Sequence, residues 1–269
     1  PGVKMNPVSG ELEFNLSLGE ILRPQESLEE IFNYLKEAEK PCLVAIDEFQ
    51  QIAEYPEKNV IALLRSYVQK CSNARFIFAG SNRRMMDTLF NSPSEPFYMS
   101  CSPLYLDVID REKYWNFTKG HFEAAGRIIN RECFDKVYDK FEGHTWYVQR
   151  LLNELYERAA NDNHITSDTV SESVDYVVKL NGKAFEDQFK SYPEAQKALL
   201  IAIAKEEKAD GITSIAFVRK HSLKSPSTVQ SATRMLYDKE IITKDGTSYC
   251  ITNRFFAIWL DKVYGSRYY

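Results

Sequence analysis

Two polar dipeptides, one directly after an apolar run and one a single glycine beyond another, carry side chains that could act on a phosphate group. Asp47 and Glu48 end the first run, and Ser81 with Asn82 follows a second run further along the chain. In a phosphoryl-transfer site one carboxylate can support Mg²⁺ while the next orients or deprotonates an attacking water. A hydroxyl and an amide can sense a terminal phosphate. We therefore predict Asp47 at a metal and Glu48, Ser81 and Asn82 as catalytic residues.

The elements that must position these groups are two buried strands and the helix between them. Cys42–Ile46 and Phe76–Ala79 are continuous apolar runs, typical of strands covered on both faces of a parallel sheet. Between them, apolar residues recur at helical spacing: Val60, Leu63, Leu64, Tyr67 and Val68. Strand, helix and strand predict a right-handed crossover unit, whose strand ends meet at the ligand-binding rim. Leu104–Leu106 is a candidate third strand. The alternative is a plain strand followed by a capping Asp and a solvated Glu.

The N-terminal segment shows weaker signals. Residues 1–26 are punctuated by proline and glycine, which predicts a loop with at most one strand around Leu12, Phe14 and Leu16. Ser27 and Glu30 form a capping-box pattern, so we expect a helix over residues 27–39.

Helical patterns dominate the remainder of the chain. In residues 111–190 they predict helices over Tyr114–Ala125, Arg131–Phe141, Trp146–Ala160 and Ser167–Leu180, the last with an extension to Phe189. Residues 191–269 continue with three helices and a short hairpin, over Ala195–Lys205, Ser214–His221, Ser227–Lys239, Ile241–Thr243 and Tyr249–Ile251. Three helices and a hairpin are typical of a winged helix. We expect an α/β region over 1–110, a helical region over 111–190 and a winged helix over 191–269.

The order of these regions resembles a known class of nucleotide-hydrolysing proteins. Val44–Gln50 is similar to the Walker B segment of AAA+ and related signal-transducing (STAND) P-loop ATPases, and Phe78–Ser81 resembles their sensor strand. The helical region resembles their lid, and the winged helix resembles the tail of prokaryotic members. The resemblance implies ATP and Mg²⁺ as cofactors, Asp47 at the metal, Glu48 as catalytic carboxylate, and Ser81 or Asn82 as sensor.

The sequence also departs from that class. No G-x-x-x-x-G-K-[ST] motif, the loop that cradles phosphates, occurs in it. The chain begins with Pro1 rather than Met and has 46 residues ahead of Asp47, so we expect an N-terminal segment to be missing and this fragment to be inactive as an ATPase. Arg83 and Arg84 are the nearest substitutes for an arginine finger, although surface arginines explain them as well.

The winged helix carries the candidate macromolecular interface. In its third helix Val229, Ala232 and Leu236 are expected to face the core, which leaves the opposite face for contacts. The candidate DNA-contact residues are Lys224, Ser227, Gln230 and Arg234. Residues 211–245 carry a net charge of only +3, so a packing or protein-interaction role is the competing hypothesis.

Composition limits the remaining classes. The chain has 34 Lys and Arg against 38 Asp and Glu, a net charge of −4, so no global positive field draws it to nucleic acid or anionic lipid. No apolar stretch approaches a bilayer span, and we expect a cytoplasmic protein without a membrane partner. Unpaired sheet edges make a homo-oligomer a candidate assembly. Two hypotheses remain: a regulatory ATPase module, and a noncatalytic winged-helix regulator that binds DNA or protein.

Overall fold

The computed structural model describes residues 2–5, 12–15, 24–57, 59–159 and 165–265. These residues form a mostly helical chain with small sheets, divided into two compact units, Pro1–Tyr105 and Leu106–Tyr269. The three-part division predicted above therefore stays a prediction. None of the helices in these ranges is both long and apolar enough to cross a bilayer.

The first unit contains two small sheets and three α-helices within its described residues. Its elements are β1 (Gly2–Met5), β2 (Leu12–Asn15), α1 (Pro24–Glu37), β3 (Cys42–Ile46), a 3₁₀ helix (Phe49–Glu54), α2 (Val60–Lys70), β4 (Ala74–Phe78) and α3 (Arg83–Asn91). β1 and β2 pair as an antiparallel hairpin, where the sequence predicted a loop with one strand. Helix α1 begins at Pro24, so Ser27 lies inside the helix and the predicted capping box is wrong.

β3 and β4 pair in parallel, in register from Cys42 with Ala74 to Ile46 with Phe78. The predicted crossover unit is thus present, with α2 between the two strands. The predicted third strand is wrong: Leu104 and Leu106 are highly exposed and have no regular structure. Tyr105 between them instead packs against α3, where its hydroxyl donates to Asp87 Oδ1 at 3.0 Å.

The expectation that this sheet is buried on both faces is also wrong. Side chains alternate across a strand, and Val44 and Ile46 face a core that includes Phe32 of α1 and Leu64 of α2. On the opposite face Leu43 is 71% exposed and Ile77 is 50% exposed. Apolar runs locate a strand but do not report whether a second layer covers it.

Within its described residues, the second unit is built from helices and one hairpin. Its elements are α4 (Arg111–Ala124), α5 (Arg131–Lys140), α6 (Thr145–Arg158), α7 (Ser167–Leu180), α8 (Gly182–Lys190), α9 (Glu194–Glu206), α10 (Ile215–Lys220), α11 (Pro226–Asp238), β5 (Ile242–Asp245), β6 (Ser248–Ile251) and α12 (Arg254–Tyr264). The predicted extension of α7 is a separate helix, α8, and α12 and α3 were not predicted. Gly246 has φ 61° and permits the tight turn between β5 and β6.

One hydrophobic core runs through this unit. It includes Val148 and Leu151 of α6, Leu199 of α9, Leu236 of α11 and Phe256 of α12, all essentially without solvent contact. The helical region and the winged-helix region therefore share their interior. Side-chain caps define several helix starts, for example Ser225 at α11, whose Oγ accepts from the Thr228 N–H at 3.2 Å.

Candidate functional site

The ends of β3 and β4 lie side by side. The parallel register continues past the strands, because Ala79 N–H donates to the Ile46 carbonyl at 2.9 Å and Phe49 N–H donates to the Ala79 carbonyl at 2.8 Å. These two backbone bonds hold the segment after β3 against the segment after β4. The dipeptides that the sequence singled out thus emerge at one rim of the sheet.

Glu48 and Ser81 meet at this rim. Ser81 Oγ donates a hydrogen bond to Glu48 Oε2 at 2.8 Å. The backbone of Glu48 is left-handed, with φ 48° and ψ 40°. This conformation costs a non-glycine residue about 1–3 kcal/mol. The chain therefore makes a sharp turn between β3 and the 3₁₀ helix, with Glu48 as the turning residue.

Asp47 braces the same turn. Its Oδ1 accepts the backbone N–H of Glu48 at 2.9 Å, and the residue is exposed. Mg²⁺ commonly takes one or two protein carboxylates, with water and substrate phosphates filling its other positions. Within the described ranges no three His, Cys, Asp or Glu residues are grouped as a metal site. An exposed carboxylate such as Asp47 has the chemistry to contribute one ligand to such an ion.

Asn82 is placed differently from Ser81. Its side-chain oxygen accepts the Met85 N–H at 2.9 Å, which makes Asn82 the N-cap of α3. The sequence pattern predicts a catalytic role for Asn82 beside Ser81 and does not predict the helix that Asn82 caps. Of the two residues, Ser81 is the one that hydrogen-bonds Glu48. The catalytic roles themselves stay predictions.

Gln50 is a member of the cluster that sequence reasoning missed. It is 7% exposed, and its Nε2 donates to Glu48 Oε2 and, at 3.4 Å, to Ser81 Oγ. A polar residue two positions after the carboxylate, directly after the apolar Phe49, was the available signal. Burial of an amide requires hydrogen-bond partners, and here the partners are the two candidate site residues.

Hydrogen bonding sets the proton affinity of the candidate catalytic carboxylate. The hydroxyl of Ser81, and after it the amide of Gln50, stabilise the charged form and lower the pKa of Glu48 below its ordinary value. Glu48 is therefore ionised at neutral pH and acts as a hydrogen-bond acceptor. A carboxylate in that state can orient water.

Arg83, a candidate substitute for an arginine finger, lies against its own unit. Its guanidinium stacks 4.4 Å from the centre of the Tyr105 ring, and its Nε lies 4.0 Å from Asp87 Oδ2. The side chain is 71% exposed. This geometry fits the surface-arginine interpretation.

The candidate DNA contacts lie on the outer side of α11 and just before it. Lys224, Ser227, Gln230 and Arg234 are all exposed. Val229, Ala232 and Leu236 are buried, as the sequence pattern predicted. Arg234 Nε lies 3.8 Å from Asp238 Oδ2, one turn further along the same helix. An acidic neighbour therefore offsets part of the positive charge that this face would offer to a phosphate.

Comparisons with known proteins agree with parts of this description. Residues 183–262 match a family model described as a probable winged helix domain, so the chain carries a winged helix toward its C-terminus. Its structure is similar to that of a Walker-type ATPase of Pyrococcus abyssi, with a TM-score of 0.64 and 17% identity, over 89% of this chain and 68% of that chain. At that identity the similarity concerns the fold. No curated protein sequence matches the chain.

Proposed function

We propose that this chain is part of a regulatory ATPase module of the AAA+ or STAND type, in which β3 and β4 supply the hydrolytic groups. The observation that carries the proposal is the hydrogen bond from Ser81 to Glu48, which joins the ends of two neighbouring parallel strands. Ligands of open α/β sheets bind at this end of the strands. The name of the similar Pyrococcus abyssi structure, a Walker-type ATPase, points to the same chemistry.

In the proposed site each residue has a separate task. Asp47 supports Mg²⁺, which would screen the charge of the transferred phosphoryl group. Glu48 orients or deprotonates the attacking water, and its ionised state suits it to that role. Ser81 holds the carboxylate from the next strand and senses the terminal phosphate. Asn82 contributes through the cap of α3, which fixes the backbone beside Ser81.

The phosphate cradle of the proposed site lies outside this sequence. The G-x-x-x-x-G-K-[ST] motif that would provide it is absent from the sequence. The exposed face of the sheet carries the apolar residues Leu43 and Ile77, and such a face is normally covered by a further layer of structure. We propose that additional polypeptide completes the sheet and brings the cradle. The fragment alone then neither binds ATP tightly nor hydrolyses it, because Asp47 and Glu48 have no backbone nest or lysine beside them.

Hydrolysis by the full natural protein tests the proposal. Glu48→Gln keeps the shape of the side chain and its contact with Ser81 but removes the base, so turnover of ATP should fall by about 100-fold or more while ATP binding is retained. Glu54→Gln, the same change at an exposed position of the 3₁₀ helix, is the matched control and should leave turnover unchanged. Equal turnover in the Glu48 variant and the unmodified protein would remove Glu48 from the mechanism.

The winged helix is proposed as the output of the module, and its attachment supports a role in protein interaction or mechanical coupling. Lys208 contacts Glu142, between α5 and α6, and Asp245 at the tip of the hairpin. Tyr147 Oη donates to the Thr252 carbonyl at 3.0 Å and accepts the Arg254 N–H at 3.2 Å. The wing is thus tied to the helical region through several polar contacts.

The alternative function is a noncatalytic regulator that binds DNA or protein through the winged helix. The exposure of Lys224, Ser227, Gln230 and Arg234 on one side favours a contact surface there. Under either hypothesis we place the protein in the cytoplasm, where ATP and chromosomal DNA are both accessible in a prokaryotic cell. A homo-oligomer formed through the uncovered sheet remains part of the proposal.

A further inference from the structure

Gln50 occupies a position that stability alone does not explain. The 3₁₀ helix begins directly after Glu48, and its second residue, Gln50, contacts the Glu48 carboxylate. The neighbouring Phe49 is buried among Phe78, Phe90 and Phe97. Gln50 is buried beside this aromatic cluster although it carries an amide. An apolar residue would avoid the free-energy cost of burying those polar atoms.

The orientation of the Gln50 amide is determined by its surroundings. Nε2 points at Glu48 Oε2 and Ser81 Oγ. Oε1 is buried without a hydrogen-bond partner among the described residues. Turning the amide over would set its oxygen against the carboxylate, and two acceptors would then face each other. The single productive orientation is therefore the one that donates to Glu48.

Gly80 makes room for this arrangement. A Cβ atom at position 80 would lie 2.3 Å from Gln50 Oε1, and it would also collide with the Met86 side chain. Heavy atoms do not approach so closely, so a larger residue at position 80 would displace both the amide and the Met86 thioether. Gly80 and Gln50 thus form a matched pair on the two segments that carry Ser81 and Glu48.

We propose that Gln50 is a positioning residue for Glu48: it holds the carboxylate at the rim of β3 and β4, against Ser81, in the orientation used for water activation. This role rests on the proposed function and specifies how its central carboxylate is held. Gln50 donates to the same oxygen as Ser81, so Glu48 is fixed by one donor from each strand segment.

The lowered pKa of Glu48 provides a readout that needs no nucleotide. Both donors stabilise the ionised carboxylate, with Ser81 the larger contributor and Gln50 the next. Gln50→Leu removes the donor and keeps the side chain buried. We expect the pKa of Glu48, measured by carbon-13 NMR titration of the 269-residue chain, to rise in this variant and to rise further in Ser81→Ala.

Gln51→Leu is the matched control, because Gln51 is the next residue of the same 3₁₀ helix and is exposed. It should leave the pKa of Glu48 unchanged. If Gln50→Leu does not fold, Gly80→Ala displaces the amide without replacing Gln50 and should also raise that pKa. An unchanged Glu48 pKa in whichever of these two variants is folded would overturn the positioning role.

Kinetics of the full natural protein separate this inference from the proposed function. Gln50→Leu should lower kcat about tenfold with little change in KM for ATP, because a hydrogen bond to a charged group is lost without loss of a substrate contact. Active enzyme with an unchanged kcat and an unchanged Glu48 pKa would show that Gln50 has no such role. A raised pKa in a protein that never hydrolyses ATP would instead contradict the proposed function and leave Gln50 as the residue that positions Glu48.

Discussion

The two units of this chain differ in how completely their apolar surfaces are covered. In the second unit, helices from both of its regions contribute to one core, with Leu199 and Leu236 fully buried. In the first unit, α1 and α2 cover one face of the β3–β4 sheet and leave Leu43 exposed on the other. Parallel sheets are normally covered on both faces. The candidate chemistry thus lies in the less completely covered unit.

The difference shows that a cluster of polar residues can be organised at the end of a sheet although one face of that sheet is exposed. The Glu48, Gln50 and Ser81 cluster is held by the parallel register and by two backbone hydrogen bonds just past the strands. These contacts are local to the rim, and the packing of the opposite sheet face does not enter them. The cluster of candidate residues is therefore organised without a second layer on the exposed face of the sheet.

Substitution of one leucine in each unit should show the largest difference between the two units. Leu199→Ala removes a side chain with no exposed area, and should destabilise the second unit by about 2–5 kcal/mol. Leu43→Ala, at 71% exposure, should change the stability of the first unit by no more than about 0.5 kcal/mol.

The two effects can be measured separately. All three tryptophans, Trp115, Trp146 and Trp259, lie in the second unit, so fluorescence during urea unfolding follows that unit. Amide exchange of β3 and β4 follows the first. A cost for Leu43→Ala as large as that for Leu199→Ala would mean that the outer face of the sheet is covered in solution.

The ion pairs at the wing should give a smaller effect. Asp245 and Glu142 raise the pKa of Lys208 to about 12, and Lys208 lowers the pKa of Asp245. A raised lysine pKa contributes stability below its unfolded value that is lost as pH rises through about 12. A lowered aspartate pKa contributes stability above its unfolded value that is lost as the pH falls through the folded value.

Lys208→Met should therefore destabilise the second unit by less than about 1 kcal/mol at neutral pH, because the pair is partly exposed. The difference from the unmodified protein should shrink as the solution is acidified below the ordinary aspartate pKa. Tryptophan fluorescence over a pH series measures it, with the exposed Lys224→Met as control. A difference that grows on acidification would contradict the assignment of these ion pairs.

DNA binding by the winged helix should be the weakest effect. With Arg234 beside Asp238, any contact should depend on backbone charge and weaken steeply between about 50 and 200 mM salt. Replacing both Arg234 and Lys224 by Ala should lower binding to every duplex alike. Fluorescence anisotropy with labelled duplexes measures this. Tight, salt-resistant binding to one sequence would favour the DNA-binding alternative over the interaction module.

Much of this architecture could be predicted from the sequence, and the failures have physical causes. The apolar runs predicted the positions of β3 and β4. Because neighbouring parallel strands end at the same edge of a sheet, they also predicted that Glu48 and Ser81 lie close together. The runs could not report the exposed side of Leu43, since a residue's hydrophobicity is the same whether or not another layer covers it. An N-cap and a polar ligand require the same residue types, so the sequence does not show that Asn82 caps α3. The sensor role of Asn82 stays a prediction.

Gln50 and α12 show a second kind of limit. Gln50 follows Glu48 by two positions, and its amide contacts the carboxylate across a turn in which the backbone of Glu48 is left-handed. The residue types around Glu48 do not predict its left-handed backbone. Helix α12 was not predicted from the sequence, although Asn253 caps it through the Phe256 N–H at 3.1 Å.

We propose that the hydrolytic groups lie in this chain and that the phosphate cradle lies outside it. A calorimetric titration with Mg²⁺ and ATP tests this proposal. The 269-residue chain and the full natural protein would be titrated under the same conditions. We expect no micromolar ATP binding by the 269-residue chain and micromolar ATP binding by the full natural protein. Micromolar ATP binding by the 269-residue chain alone would contradict it.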